Sequence, residues 1–233
     1  MLMKQYRMHP DISAFPNAQF YGAKLSNGIA AGDRPLPQPS HLWPLLKNGA
    51  RSCVAFVAAK QGKEKRTKRK SFCNQAEVDI VVSIAKDLLA SGLKPEEIGI
   101  ISPYKGQVVA LKHTLHRANI SIIPKQRKDG TTSIVEVNSV DAFQGSEKDV
   151  IIMSTVRANG RGAVGFLKDY RRMNVALTRA KRGVIVVGHP DTLRHDPSWK
   201  AWLEWYKDHT IEVDPAKAKK GKKSPKRRTR KKQ

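Results

Sequence analysis

Five short apolar runs, rich in β-branched residues, punctuate the chain. They are Cys53 to Val57, Ile98 to Ser102, Ile134 to Asn138, Val150 to Thr155 and Val184 to Val187. Several are almost continuously apolar, the pattern of strands buried on both faces of a parallel sheet. Between them the periodicity becomes helical. Asn74 with Glu77 three residues on predicts a capped helix start. Val78, Val81, Val82, Ala85, Leu88 and Leu89 follow at helical spacing, and Gly92 can end the helix. Val108, Leu111, Leu115 and Ala118 form a second stripe, and Arg172 to Ala180 and Ser198 to Tyr206 are two further helix candidates. Gly28 to Pro44 holds four prolines and two glycines and reads as an irregular loop. Strands alternating with helices in this way predict an α/β domain with a mainly parallel sheet. In open sheets of this kind ligands bind beyond the carboxyl ends of the strands, so the loops after strands are where chemistry is expected.

The 233 residues are 39% hydrophobic and 27% charged, enough for one real core. No apolar stretch approaches the ~18 residues of a membrane span, which excludes an integral helical membrane protein. Met1 to Pro10 lacks the apolar run of a signal peptide, so secretion is not expected. Cys53 and Cys73 are too few for a disulfide scaffold or a zinc site; they read as half-buried thiols of a reducing compartment, and no metal site is read.

Charge changes the picture. The formal net charge is +24, and two segments hold two thirds of it. Asp214 to Gln233 carries +10, contains Gly221 and Pro225, and has no apolar periodicity, so it is expected to be disordered. Such a run can neutralise phosphates without sequence preference, act as a nuclear-import signal, or simply solubilise the chain. Lys60 to Lys70 carries +6 between two ordered-looking segments and reads as a solvated loop open to phosphate contact.

Three stretches are over-specified for packing alone. They are Gln5-Tyr6-Arg7-Met8-His9-Pro10, then Ser139-Val140-Asp141-Ala142-Phe143-Gln144-Gly145-Ser146-Glu147-Lys148-Asp149, then Arg171-Arg172-Met173-Asn174-Val175-Ala176-Leu177-Thr178-Arg179-Ala180-Lys181-Arg182-Gly183. The second lies just before the apolar run at Val150 and the third just before the last run. Together they resemble, in order, motifs of the second RecA-like domain of superfamily 1 helicases. The resemblance is greatest to the up-frameshift helicases of nonsense-mediated mRNA decay and covers about residues 1 to 210. Asn27-Gly28, Trp43-Pro44, Ile98 to Tyr104 and Gly165-Phe166-Leu167 fit the same family in order.

The resemblance implies a RecA-like fold over residues 1–212, followed by a Lys/Arg-rich tail over 213–233. It implies ATP with Mg²⁺ as cofactor and single-stranded RNA, with DNA left open, as partner. Arg7 and Arg179 match the two positions that stabilise charge on the γ-phosphate, the task of an arginine finger. Tyr6 matches the residue that stacks on adenine, and Glu147 the carboxylate that accepts from the ribose. Gln144 and Gly145 match a loop coupling nucleotide to nucleic acid. Ser102, Tyr104 and Ser139 follow strands and are candidates for nucleic-acid contact through hydroxyls, backbone amides and a stacking face. Without the resemblance the residues have plainer readings: Arg179 a solvated helix face, Tyr6 partly buried packing, Glu147 a surface partner of Lys148, Tyr104 ordinary turn chemistry. His9 reads as structural, Lys181 and Arg182 as a solvated face, and Asn174, Leu177 and Thr178 as packing or orienting residues.

The phosphate-cradling sequence G-x-x-x-x-G-K-[ST] and the acidic pair that accompanies it do not occur in these 233 residues. A first RecA-like domain, in cis or in trans, is therefore implied for ATP turnover, and the chain by itself is expected to be inactive. A nucleic-acid-binding module without ATPase activity, or part of a DNA helicase of the same superfamily, stays open as an alternative. The family implies a cytoplasmic location, to which the tail adds the nucleus.

Overall fold

A computed structural model describes residues 3–124, 133–211 and 213. The elements run in the order β1 (Lys4–Gln5), α1 (Pro10–Phe20), β2 (Ser26–Asn27), β3 (Val54–Ala58), β4 (Lys65–Arg66), β5 (Phe72–Cys73), α2 (Gln75–Ala90), β6 (Ile98–Ile101), α3 (Lys105–Arg117), β7 (Glu136–Asn138), β8 (Lys148–Ser154), α4 (Tyr170–Leu177), β9 (Ala180–Gly188), α5 (Pro190–Leu193), α6 (Pro197–Trp205) and β10 (Thr210–Ile211). Six strands form one sheet in the order β10-β3-β9-β8-β6-β7, with every neighbouring pair parallel. This is the expected α/β architecture.

The central strands β3, β6, β8 and β9 bury both faces. Val54 and Phe56 join Ile151, Met153, Val184 and Val186 on one side, where α1, α4 and α6 supply Phe15, Met173, Leu177 and Trp202. Ala55 and Val57 point the other way with Ile98, Ile100, Val150, Ile152, Ile185 and Val187, and α2 and α3 cover them with Val81, Leu88, Leu111 and Leu115. Side chains alternate across the pleat, so a strand serves two cores only when nearly every position is apolar. At about 25 cal/mol per Å² of apolar surface, these two layers supply most of the driving force for folding.

The five predicted strands and four predicted helices are present, with shifted ends. Asn74 caps α2, its side chain accepting from the Glu77 backbone N–H, and Gly92 stands at φ +100° just beyond that helix. The helix expected over Arg172 to Ala180 begins at Tyr170 and stops at Leu177. Arg179 thus sits in a two-residue connection and Ala180 already opens β9. Helix α1 was not legible because Pro10 and Pro16 both fall inside it; Pro10 occupies the first turn, where a missing N–H costs nothing, and His9 caps the end. Within Gly28 to Pro44 two 3-10 turns appear, and Leu42 and Trp43 are fully buried, so that segment packs on the core. The Lys60 to Lys70 run is a hairpin stem and tip, since β4 and β5 pair antiparallel. Val213 packs against the α2–α3 side. The disorder expected of the tail concerns residues 214–233, which lie outside the described residues.

Candidate functional site

Side chains of the first motif take separate tasks. Gln5 ties the turn: its Oε1 accepts from the backbone N–H of Arg7 at 2.9 Å and of Met8 at 2.8 Å. Met8 is buried in the core. His9 accepts from the Asp11 backbone N–H at the start of α1, while its own N–H donates to the Lys181 carbonyl at 2.8 Å. Tyr6 is turned outward and is 61% exposed. Its ring lies over Gly28, where an added Cβ would stand 2.3 Å from Cε1. Arg34 holds the turn by donating to the carbonyls of Tyr6 and Arg7.

This turn delivers Arg7 to the third motif. Arg7 donates from Nε to Glu147 Oε2 at 2.5 Å and from Nη1 to the Thr178 carbonyl at 3.3 Å. Lys181 Nζ lies 2.9 Å from the other oxygen of Glu147. Hydrogen bonds from Lys181 and Arg7 draw the Glu147 carboxyl down to about 2. Arg179 donates to the Val175 carbonyl and to Thr178 Oγ1. Burial, and next the neighbouring Arg7 guanidinium, lower its pKa from the ordinary arginine value. Two like charges side by side next to one carboxylate form a site that favours further negative charge.

Glu147 and Arg179 immediately precede β8 and β9, so this cluster lies at the amino edge of the sheet. That departs from the carboxyl-edge expectation. The reason is local: Thr178-Arg179 is the short link between α4 and β9, and the link fixes the guanidinium where β9 starts. Lys181 and Arg182 also depart from expectation. Lys181 pairs with Glu147, and Arg182 pairs with Asp149 at 2.9 Å while donating to the Pro35 carbonyl. Asn174 donates to the Tyr21 hydroxyl, Leu177 is buried, and Thr178 bonds back to the Asn174 carbonyl, so all three pack or orient.

A second site lies at the carboxyl edge. A groove of about 1120 Å³ runs between the β4–β5 hairpin tip, the start of α3, the turn after β7 and the Gly165–Lys168 turn. Its lining includes Lys68, Arg69, Lys70, Lys105, Arg157 and Arg172 against the single carboxylate of Asp141. Arg172 and Asp141 share a two-pronged contact, both bonds 3.1 Å. Ser139 is half-buried on the groove wall, its Oγ accepting from the Ala142 N–H. Gln144 is exposed, and Gly145 stands at φ +91°, a conformation that favours glycine. Residues 139–147 therefore run from the groove to the Arg7–Glu147 cluster.

The other two groove candidates behave differently from the expectation. Ser102 is fully buried and its Oγ accepts from the Tyr104 N–H. Tyr104 is 2% exposed, with Phe72, Phe166 and Arg157 around its ring. Its hydroxyl donates to the Val164 carbonyl and accepts from the Phe166 N–H and Arg157 Nη1. Tyr104 braces the groove and presents no open stacking face.

Sequence reasoning missed the residues that hold the groove's shape. Glu64, the one acid in the basic run, accepts at Oε2 from Arg157 Nε, the Ala158 N–H and Asn159 Nδ2, and so docks the hairpin onto the segment after β8. The Arg157 guanidinium stacks 4.4 Å from the Phe72 ring centroid. Beneath it Glu77, fully buried, accepts from Ser154 Oγ at 2.6 Å, the Val156 N–H at 2.8 Å and Asn74 Nδ2 at 3.2 Å. Val156 is held at φ +73°, unusual for a β-branched residue. The available signal for Glu64 is a lone acid in a basic run. Glu77 reads from the sequence only as the capping partner of Asn74, whereas the Asn74 N–H donates to Gln107 Oε1 and the Glu77 carboxylate turns to Ser154 and Val156. Both cysteines are free; Cys53 is buried with Sγ 3.3 Å from His9 Nδ1, and Cys73 is half-buried. No helix among the described residues is long and apolar enough to cross a membrane.

A family described as an AAA domain matches residues 1–191. The "Regulator of nonsense transcripts 1 homolog" of Drosophila melanogaster is 42% identical over 217 residues, covering 90% of this chain and 17% of that protein. "ATP-dependent helicase NAM7" of Saccharomyces cerevisiae is 39% identical over 206 residues, covering 88% of this chain and 20% of that protein. Among solved structures, the C-terminal domain of a possible DNA helicase from Lactobacillus plantarum aligns with a TM-score of 0.47 at 15% identity, covering 90% of this chain and 99% of that one. The chain spans a fifth or less of the length of these two relatives.

Proposed function

The chain belongs to the AAA domain family, and from that premise and the pairing of Arg7 and Arg179 at one sheet edge we propose that it is the second motor domain of an ATP-dependent, superfamily 1 helicase acting on single-stranded RNA. The observation that carries the reading is convergence. Arg7 and the Thr178-Arg179 link are 171 residues apart and meet at the Thr178 carbonyl, with Tyr6 open beside them.

ATP supplies a phosphoanhydride whose cleavage spreads negative charge over the γ-phosphate oxygens. Arg7 and Arg179 are the side chains that would stabilise that charge. They are preorganised by the Thr178 and Val175 carbonyls and by Glu147, so little reorganisation accompanies the reaction. Tyr6 offers an exposed ring to the base. The Glu147 carboxylate accepts from two cations and keeps lone pairs for ribose hydroxyls. Because Glu147 is already neutralised, the Mg²⁺ that accompanies ATP is assigned to the first domain that also brings the phosphate-cradling loop. The groove takes the strand: the Lys68 to Lys70 wall meets phosphates, and Ser139 and residues 139–147 link strand and nucleotide. In this reading the protein works in nonsense-mediated decay, in the cytoplasm, with the basic tail able to direct it to the nucleus as well.

The test joins this chain to a matching first domain and replaces Arg179 by Ala. RNA-stimulated ATPase is expected to fall by about a thousandfold, the usual size of a finger's contribution. Activity near the unaltered rate would remove the assignment. A nucleic-acid-binding module without ATP turnover is the second reading, favoured by the cationic groove and the basic tail. It predicts RNA affinity that drops on deletion of residues 217–233. Competition between matched RNA and DNA strands decides the substrate.

A further inference from the structure

The sequence singled out Gly165-Phe166-Leu167, and neither the nucleotide cluster nor the phosphate wall uses it. Phe166 is 58% exposed although it sits in the groove. A large aromatic left open is informative when the backbone beneath it is rigid, because the exposure then is built into the fold. The backbone here is fixed on all sides. Gly165 stands at φ +58°, and a Cβ there would lie 2.5 Å from both Arg157 Nη1 and the Tyr104 hydroxyl, so only glycine fits. The Phe166 N–H donates to that hydroxyl at 3.2 Å. Leu167 is buried, and its carbonyl accepts from Trp199 Nε1 at 3.0 Å.

The ring has a defined setting as well. Tyr104 packs against it at 5.4 Å between centroids. The Arg172 guanidinium lies 5.5 Å from its centroid and is itself held by Asp141. Val109, 62% exposed, adds a second apolar patch to the same groove. The exposed cationic tip Lys68-Arg69-Lys70 lines the same groove. A groove lined by exposed cations and an exposed aromatic fits a polymer that carries both charged phosphates and flat bases.

We propose that Phe166 is the base-stacking residue of this groove, the task the sequence had suggested for the buried Tyr104, and that it makes the groove discriminate a base-bearing strand from a bare sugar-phosphate chain. The proposal rests on the reading of the groove as a single-strand site. Every base has a π-face, so the contact is tolerant of sequence, and it is independent of salt because Phe166 carries no charge.

The test uses the full 233-residue chain and two fluorescein-labelled probes of equal length, oligoadenylate and an abasic oligomer. The unaltered chain is expected to favour oligoadenylate. Phe166→Ala should weaken oligoadenylate binding by between about fivefold and a hundredfold, the range of one aromatic–base stack, and leave abasic binding and the salt slope unchanged. Phe166→Trp should restore the preference, with indole emission quenched on binding oligoadenylate and not on binding the abasic chain. If Phe166→Ala keeps the preference, Phe166 does not stack bases and the proposal is overturned while the groove stands. If the unaltered chain binds neither probe, the single-strand reading of the groove falls, and this proposal with it.

Discussion

Arg7 and Glu147 lie 140 residues apart in the chain, and the Arg7 Nε donates to the Glu147 carboxylate at 2.5 Å. The contact joins the first motif to the end of the second. It also means that a side chain read as a phosphate sensor and one read as a ribose acceptor are in direct contact, so neither can be altered without moving the other.

That pairing has a pH signature. Glu147 titrates at about 2 in the folded chain against 4.5 for an unperturbed glutamate. A depressed folded value contributes stability that is fully present above about pH 4.5 and is lost as pH falls toward 2. The stability gap between the unaltered chain and Glu147→Gln should therefore be constant above that value and shrink below it. Because Glu147 is partly exposed, the gap should also shrink in high salt. Urea unfolding of both proteins across that acid range is the measurement; a gap that stays constant down to pH 2 would contradict the pairing.

Gly28→Ala tests Tyr6 without touching it. The new methyl would collide with the Tyr6 ring, and an exposed ring is free to swing away. Folding should change little, while adenine-nucleotide affinity of the chain joined to a first domain should fall about tenfold, toward that of Tyr6→Ala. Unchanged affinity in both variants would show that the base lies elsewhere.

The hairpin tip should govern salt dependence. Lys68, Arg69 and Lys70 are exposed on the groove wall. Each phosphate neutralised on a single strand contributes about 0.7 to the slope of log affinity against log salt. Replacing all three by Ser should flatten that slope by about 2 and leave the preference for base-bearing strands in place. An unaltered slope would assign the phosphate contacts to other cations, the tail included.

Much of this was legible in the sequence and some was not. The sheet was legible because a strand buried on both faces has to be apolar at successive positions, as Val150 to Met153 and Val184 to Val187 are. β10 escaped notice because two residues, Thr210 and Ile211, carry no periodicity. The motif residues could be named from their order, but their partners could not. Lys181 looked like a solvated lysine, and only the parallel register that sets Lys148 beside Ala180 brings it to Glu147. Tyr104 looked like a stacking residue because it follows a strand, whereas its hydroxyl has three partners that draw the ring inward. Composition marks Lys60 to Lys70 as basic, yet the hairpin depends on Glu64 reaching Asn159, a contact across 95 positions.

Glu77 gives the prediction with the greatest consequence for stability. It is fully buried, and burial pushes its carboxyl up to about 8, against the hydrogen bonds from Ser154, Val156, Thr155 and Asn74 that favour the charged form. In the unfolded chain the same acid releases its proton near 4.5. Between these values the folded chain holds the proton and the unfolded chain does not, so stability falls as pH rises from about 4.5 to 8 and levels off above. Glu77→Gln should lose this slope. Glu77→Ala should cost about 3 kcal/mol or more, because it strands several buried donors at about 1–3 kcal/mol each. The Val156 backbone, at φ +73°, would keep only the Asn74 Nδ2 contact to its carbonyl, and Arg157, one residue on, should shift from its place beside Phe72 and Glu64. Thermal unfolding of the three proteins through that pH window, with RNA affinity of each, is the measurement. A Glu77→Gln curve parallel to that of the unaltered chain would mean that the acid does not titrate there. Unchanged RNA affinity in Glu77→Ala would mean that the groove keeps its shape without the buried acid.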